Sequence, residues 1–195
     1  MAAEGKSKVP ELLVRGISLI SMREYVKTML AGEELEEFFS HFPESEEEAI
    51  SNAKKGEWYP FEIQQHIREN VAKWFNPGNP RKAIMDMVAF TADFEISAFL
   101  KGIIGILPVH MVLQQSAKVF GKFYQPGKMV AIREGEYKAL FELTDFLADS
   151  LFCPVIDAWL ISAGKNMGFE PNVVETACIH NGDDLCRWEV TWDEE

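Results

Sequence analysis

Apolar residues recur at spacings of three and four along most of the first half of the chain, which is the pattern of amphipathic helices. Ser21 and Glu24 form a capping-box pair, in which each side chain bonds to a backbone amide of the first turn. The apolar positions that follow are Met22, Tyr25, Val26, Met29 and Leu30. We therefore predict a first helix that starts at Ser21 and ends before Gly32.

Further helical segments are predicted up to the middle of the chain. Two short ones, the first of them acidic, cover 33–42 and 45–56. Pro60 suits the first position of the next helix, whose apolar stripe consists of Ile63, Ile67, Val71 and Trp74. After a strong breaker at 76–80, one or two long helices are predicted over 81–124, interrupted near Pro108.

The period changes in the second half, where short β-prone runs flank turn residues. The paired runs cover 129–132 with 137–143, and 172–177 with 185–192. Turns at Gly135 and Gly182 would join each pair into a hairpin. Between the hairpins a helix carries Val155 and Trp159 on one side and stops at Gly168.

This order of elements predicts an α+β fold, with an antiparallel sheet of hairpins covered by helices and a helical N-terminal third. The length of 195 residues is sufficient for one domain with a sizeable core. We predict a flexible tail over 1–11 and a single ligand-binding domain over 12–195. Within it, a helical part covers 12–76 and the remainder covers 80–192.

The charge is strongly negative, at −12, but it is concentrated locally. The segment 33–48 holds eight carboxylates and no Lys or Arg, and 193–195 adds three more carboxylates. An acidic patch of this kind does not neutralise phosphates, so nucleic acid is not expected as a direct partner. A charge run of this type is most often a solvated helix face.

Neither a secretory signal nor a membrane-spanning segment is evident. The longest uncharged run, 102–117, contains Pro108 and is shorter than the ~20 apolar residues that a spanning helix needs. We therefore expect a cytoplasmic protein.

Three cysteines do not make a disulfide framework, and clustered cysteines in a reducing compartment are more often metal ligands or catalytic thiols.

All three cysteines, Cys153, Cys178 and Cys186, lie in the last part of the chain. Gly182 is midway between the second and third, so a hairpin centred there brings their thiols together. Cys153 precedes Pro154, where a helix can begin, and a thiol at a helix N-terminus ionises more readily. Three converging thiols suit a soft divalent metal.

A structural zinc site needs a fourth ligand, and two residues are candidates. His180 lies between the two hairpin thiols, but an imidazole at a loop tip tends to point into water. Glu175 lies three residues before Cys178, a spacing that puts both on one face only if the strand has a bulge. Spacing alone leaves both candidates open.

The segment from Glu175 to Cys186, with Cys153 upstream and the aromatic strand 188–192 after it, resembles the vinyl-4-reductase domain. That domain occurs in the sensor modules of phenol-responsive activators, and its fold is related to TRAPP subunits. The resemblance implies a zinc site formed by Cys153, Glu175, Cys178 and Cys186. It also implies a module that senses a small molecule or lipid, acts through a regulatory partner protein and pairs as a homodimer.

The sequence adds two candidate residues for an apolar ligand pocket, suggested by its many Phe, Trp and Met residues. His110 could hydrogen-bond the polar end of a ligand, and Trp159 could sense occupancy beside Cys153. Two alternatives are an interaction scaffold that uses 33–48, and a tetrapyrrole-related reductase or binding protein. The sequence has no G-x-G-x-x-G and no catalytic triad pattern, so an enzyme is not the favoured interpretation.

Overall fold

The computed structural model of the protein describes residues 11–99 and 118–193, and the fold is given for these ranges. The helices before the gap are α1 (Gly16–Met29), α2 (Glu33–Ser40), α3 (Glu44–Ser51), α4 (Phe61–Phe75) and α5 (Pro80–Phe99). A helical segment at 118–123 follows the gap. The last helix, α6 (Cys153–Asn166), is preceded by a 3₁₀ turn at Ser150–Phe152.

Two antiparallel sheets combine with these helices. The smaller has the order β2-β1-β3 and consists of β1 (Leu13–Arg15), β2 (Trp58–Pro60) and β3 (Tyr124–Gln125). The larger has the order β4-β5-β7-β6 and consists of β4 (Lys128–Arg133), β5 (Lys138–Thr144), β6 (Asn172–Ala177) and β7 (Cys186–Thr191). The α+β prediction is confirmed, and both predicted hairpins belong to the larger sheet.

The start of α1 differs from the prediction because tertiary contacts determine it. The helix begins at Gly16, whose N–H donates to the Glu57 carbonyl at 2.9 Å. A Cβ at Gly16 would lie 2.2 Å from the carbonyl oxygen of Lys54, so this approach requires glycine. Ser21 therefore lies inside the helix, and the predicted capping box is wrong.

Helix α6 packs between the larger sheet and α5. The sheet presents alternate buried residues to it, namely Ala139, Phe141, Leu143, Cys186, Trp188 and Val190. The buried carboxylate of Asp157, on α6, accepts from Trp188 Nε1 at 2.9 Å and pairs with Arg81 of α5. The helix is therefore held to both neighbours by charge-assisted hydrogen bonds as well as by packing.

One hydrophobic core includes residues from β1 through β7. The division of the predicted single domain into a helical part over 12–76 and a remainder over 80–192 stays a prediction. So does the flexible tail over 1–11, most of which lies outside the described ranges. In those ranges, none of the helices has both the length and the apolar character that crossing a membrane requires.

Candidate functional site

A small apolar cavity of about 30 Å³ lies between α1, α5, α6 and the helical segment 118–123. Its described lining residues are Met22, Gln64, Val88, Thr91, Glu95, Val119, Phe120, Phe123, Tyr124, Met129, Val155, Ile156 and Trp159. Two methionines and four aromatic residues are among them. At this volume the cavity has room for about two water-sized groups. A few placed polar groups on an apolar wall are typical of small-molecule sites.

The polar groups of the cavity form two hydrogen-bonded pairs. Glu95 on α5 accepts from the Ser21 hydroxyl of α1, with Oγ and Oε1 2.7 Å apart. Gln64 on α4 donates through Nε2 to the hydroxyl of Tyr124 on β3 at 3.2 Å. Both pairs join residues far apart in the sequence, so the folded protein brings them together at one end of the cavity.

Burial changes the acidity of both ionisable groups in this cavity. It raises the pKa of Glu95 to about 7, although the Ser21 and Ser18 hydroxyls act to lower it. Burial also raises the pKa of Tyr124, and the Glu95 charge adds to that effect. Near neutral pH the cavity therefore holds a neutral phenol and a carboxyl that changes its charge readily.

Behind Gln64 lies a fully buried guanidinium, that of Arg68. It donates through Nη1 to Gln64 Oε1 at 2.9 Å and pairs through Nη2 with Asp149. It also lies over the rings of Phe61 and Phe152, at 4.8 and 5.4 Å from their centroids. The Arg68 charge is thus matched by Asp149, and it also acts on the cavity through Gln64 and through its attraction for the Tyr124 oxygen.

A second cluster of reactive side chains lies at the start of α6, where Cys153, Glu175, Cys178 and Cys186 converge. One ligand atom from each residue lies within 4.8 Å of the others. The Sγ atoms of Cys153 and Cys178 are 3.6 Å apart, and all three cysteines are buried. A carboxylate oxygen of Glu175, Oε1, is buried without a hydrogen-bond partner among the described residues.

Local geometry explains this convergence. The pairing of β6 with β7 shifts register between Glu175 and Ala177, which supplies the bulge that the spacing to Cys178 requires. The Cys178 amide donates to Asp183 Oδ2 at 2.8 Å, and Gly182 closes the turn with a φ of +96°. His180 lies on the exposed side of this turn and is not part of the cluster.

The thiols of this cluster differ in acidity. The hydrogen bond with Cys186, together with burial, raises the pKa of Cys153. The same hydrogen bond lowers the pKa of Cys186 to about 6, against the effect of burial. Cys186 is therefore the first of this pair to become a thiolate, which is the form that binds metals.

Of the two predicted pocket residues, the structure describes the position of one. Trp159 lines the cavity, whereas His110 lies outside the described residues. Sequence reasoning missed Glu95, Gln64 and Tyr124. The signal for Glu95 was available, because a carboxyl in helical register with Val88 and other apolar residues breaks an otherwise apolar face.

No family model and no curated protein matches this sequence. Among solved structures, the Fe(II) unliganded H-NOX protein from K. algicida matches with a TM-score of 0.70 and 9% identity, over 93% of this chain and 97% of that one. The H-NOX protein from S. oneidensis in the Fe(II)NO ligation state matches with a TM-score of 0.70 and 12% identity, over 92% and 99%. A structure from work on heme distortion in the H-NOX family matches with a TM-score of 0.68 and 10% identity, over 92% and 95%.

These matches show that the chain has the fold of H-NOX proteins. The assignment to a vinyl-4-reductase or TRAPP-like family is therefore wrong. That assignment depended on a local motif around the thiol-containing hairpin, whereas the H-NOX matches cover at least 92% of the chain. A short motif reports which ligand atoms can converge, and it does not determine the arrangement of the whole chain.

The same comparison corrects the prediction of zinc as the cofactor. The matched structures are described with Fe(II) and with heme, so this fold is associated with heme rather than zinc. The physical reason for the error is that the thiol spacing describes one corner of the fold. It carries no information about the cofactor with which the whole fold is associated.

Proposed function

We propose that this chain is a small-molecule sensing module whose ligand occupies the cavity. The observation that carries the proposal is a small apolar interior space of about 30 Å³ flanked by buried polar side chains, those of Glu95, Ser21, Gln64 and Tyr124. A fully apolar space would be core packing without chemical selectivity. A buried carboxyl inside it is costly unless it serves a ligand or a partner group.

The H-NOX fold supports the same class of function. One of the matched structures is described in an Fe(II)NO ligation state, so a protein of this fold holds a small molecule. The present chain has an interior cavity of its own. We infer binding of a small ligand from that cavity, with the fold as support.

Helix α6 would transmit occupancy to the surface. Val155 and Trp159 line the cavity, and Cys153 at the first position of the same helix belongs to the thiol cluster. A ligand that displaces α6 would therefore also displace the hairpin of β6 and β7. We propose that a regulatory partner protein recognises the displaced position of this hairpin.

Heme is the group that the comparison suggests, and the described part of the cavity does not fit it. Heme iron takes His, Cys, Tyr or Met paired with His as axial ligands, and no histidine or cysteine is among the described lining residues. Tyr124 is held as a neutral phenol, because burial and the Glu95 charge raise its pKa against the lowering effect of the Gln64 hydrogen bond. Glu95 would add negative charge to a group that already carries propionates.

A hemin titration tests this part of the proposal. Three of the four histidines are accounted for away from the cavity, since His41 and His180 are exposed and His66 bonds to Glu46. His110 is therefore the variant to make. We expect no Soret band with stoichiometric hemin. A stoichiometric Soret band that disappears in His110→Ala would contradict direct ligand binding. It would indicate a heme-based sensor instead.

Direct binding is tested with xenon as an apolar probe, because a cavity of about 30 Å³ accepts only a very small ligand. We expect it to raise the melting temperature of the wild-type protein, because burial of its apolar surface stabilises the folded state by mass action. Val155→Phe fills part of the cavity and should reduce the rise, whereas Val174→Phe, at an exposed position on β6, should leave it unchanged. No rise in the wild type, or an equal rise in both variants, would contradict binding in this cavity.

We also propose that Cys153, Glu175, Cys178 and Cys186 bind a metal ion. The support is the convergence of four ligand atoms within 4.8 Å and the unpartnered Oε1 of Glu175. Four protein ligands leave no open position, so the ion would be structural and would hold the start of α6 to the hairpin. The thiolates favour a soft metal ion.

Elemental analysis of the purified protein identifies the metal, and titration of the metal-free protein with Co²⁺ tests the ligands. We expect thiolate-to-cobalt absorption that is lost in Cys178→Ser and weakened in Glu175→Gln. Glu170→Gln is the matched control, since its side chain is 82% exposed. Two results together would refute the site: no absorption change when the metal-free protein is titrated with Co²⁺, and unchanged stability of the Cys178→Ser variant.

A further inference from the structure

One of the four residues in the thiol cluster comes from outside the hairpin of β6 and β7. Glu175, Cys178 and Cys186 belong to that hairpin, whose turn and register bring them together. Cys153 is the first residue of α6 and directly follows the 3₁₀ turn at Ser150–Phe152. Its Sγ lies 3.6 Å from that of Cys178, a distance that depends on where the turn is placed. The geometry of the whole cluster therefore depends on what fixes this turn.

Asp149 fixes the turn at its N-terminal end. Its side-chain Oδ1 accepts from the Leu151 amide at 2.9 Å, and its backbone carbonyl accepts from the Phe152 amide at 3.0 Å. A cap of this kind satisfies an amide that has no partner within the turn, and it restricts the backbone where the turn begins. Cys153 follows Leu151 by only two positions, so the restriction extends to the start of α6.

Asp149 is itself held in place by Arg68 on α4. The fully buried guanidinium pairs through Nη2 with the second carboxylate oxygen of Asp149, Oδ2. The same guanidinium lies over the ring of Phe152, 5.4 Å from its centroid, at the other end of the turn. The Phe152 ring packs edge-to-face against Tyr124, with centroids 5.1 Å apart. One oxygen of Asp149 thus caps the turn, and the other attaches it to α4.

We propose that Asp149 is a positioning residue for the thiol cluster, which sets the place of Cys153 although it is not itself one of the four ligands. This inference rests on the metal binding proposed above. A tetrahedral ion needs all four ligand atoms in place, and the turn determines the place of one of them. Replacing side chains that orient metal ligands typically weakens metal binding by about tenfold to a hundredfold. Asp149 acts through the backbone, so we expect a loss near the lower end of this range.

Two double variants separate the cap from the ion pair. Arg68→Met is combined with Asp149→Asn in one and with Asp149→Ala in the other, so both lack the ion pair and neither leaves a guanidinium unpaired. Only the asparagine keeps a side-chain oxygen that can accept from the Leu151 amide. The dissociation constant for Co²⁺ is measured by absorption for each metal-free protein without denaturant. We expect the alanine variant to bind Co²⁺ about tenfold more weakly than the asparagine variant, with an altered cobalt spectrum.

A matched control removes a cap of the same kind from another helix. Asn79 Oδ1 accepts from the Lys82 amide at 3.0 Å at the start of α5. Asn79→Ala, added to the asparagine variant, should leave both the Co²⁺ affinity and the cobalt spectrum unchanged. A loss of affinity equal to that of the alanine variant would mean that reduced stability, rather than the position of Cys153, weakens metal binding.

Hydrogen exchange in the wild-type protein tests the same link without a substitution. Bound metal and the cap would hold the same turn, so Co²⁺ should slow exchange in 149–153 more than in 79–83 at the start of α5. Equal slowing of the two segments would contradict the proposal, and it remains measurable if a double variant does not fold.

The outcomes distinguish this inference from the metal site on which it rests. If the wild type binds Co²⁺ and the two double variants bind it equally well, the assignment of Asp149 is wrong and the metal site stands. If the wild type does not bind Co²⁺, the proposed metal site fails together with the inference.

Discussion

Replacing Glu95 by glutamine should make the stability of the protein less dependent on pH. The substitution conserves the shape of the side chain, and the amide oxygen still accepts from the Ser21 hydroxyl, which lies 2.7 Å from Oε1. It removes only the ability of this buried group to ionise. Any difference in pH dependence between the two proteins therefore reports on the Glu95 carboxyl.

The sign follows from the proton affinities of the folded and unfolded states. Burial raises the pKa of Glu95 from 4.5 to about 7. Between these values the unfolded chain has released the proton that the folded protein still holds, so stability falls as the pH rises. The Glu95 contribution is fully present below pH 4.5 and is lost once the pH passes about 7. With about 1.4 kcal/mol per pH unit, the interval of 2.5 (7 − 4.5) corresponds to about 3 kcal/mol.

Urea unfolding at a series of pH values from about 5 to about 8 measures this contribution. We expect Glu95→Gln to be more stable than the wild type at the upper end, and the difference to decrease toward the lower end. Asp157, whose pKa burial raises to about 6, is present in both proteins, so its effect cancels in the difference. Parallel stability curves for the two proteins would refute the assignment of Glu95 as a buried, strained carboxyl.

Two further predictions concern packing around the site. Arg68→Met leaves Asp149 without its partner and should cost about 3–5 kcal/mol in urea unfolding. Adding Asp149→Asn should recover part of this loss, and no recovery would show that the pair is not coupled. Gly164→Ala places a Cβ 2.6 Å from Pro171 Cγ and should cost about 1–3 kcal/mol. Gly121→Ala is the control, because nothing lies within 4 Å of the added Cβ, and it should stabilise the protein by at most about 1 kcal/mol. Equal stability of the two alanine variants would contradict the crowding around Gly164 on α6.

The hairpins and most helices could be predicted because their signals are local. The apolar period and the turns at Gly135 and Gly182 act over a few residues, and the strands form where these signals place them. The start of α1 could not be predicted in this way. It depends on Gly16 packing against Lys54, a contact between segments about 40 positions apart, and the local Ser21 pattern was misleading.

The thiol cluster is an intermediate case. Its members were predictable, because a hairpin centred on Gly182 brings Cys178 toward Cys186 and the helix start places Cys153 nearby. The spacing of Glu175 required a bulge, and only the register shift in the folded sheet shows that one exists. The family and the cofactor that this motif suggested were wrong, because a local motif does not specify the arrangement of the remaining chain.

The sequence alone therefore determined the succession of helices and strands, the α+β class and the convergence of the thiols, since each depends on short-range spacing. Only the tertiary structure decided where the cavity lies and which side chains line it. The polar end of the cavity is formed by Ser21, Gln64, Glu95 and Tyr124, which come from α1, α4, α5 and β3. No periodicity connects residues on four separate elements, because their proximity results from how those elements pack rather than from any one of them.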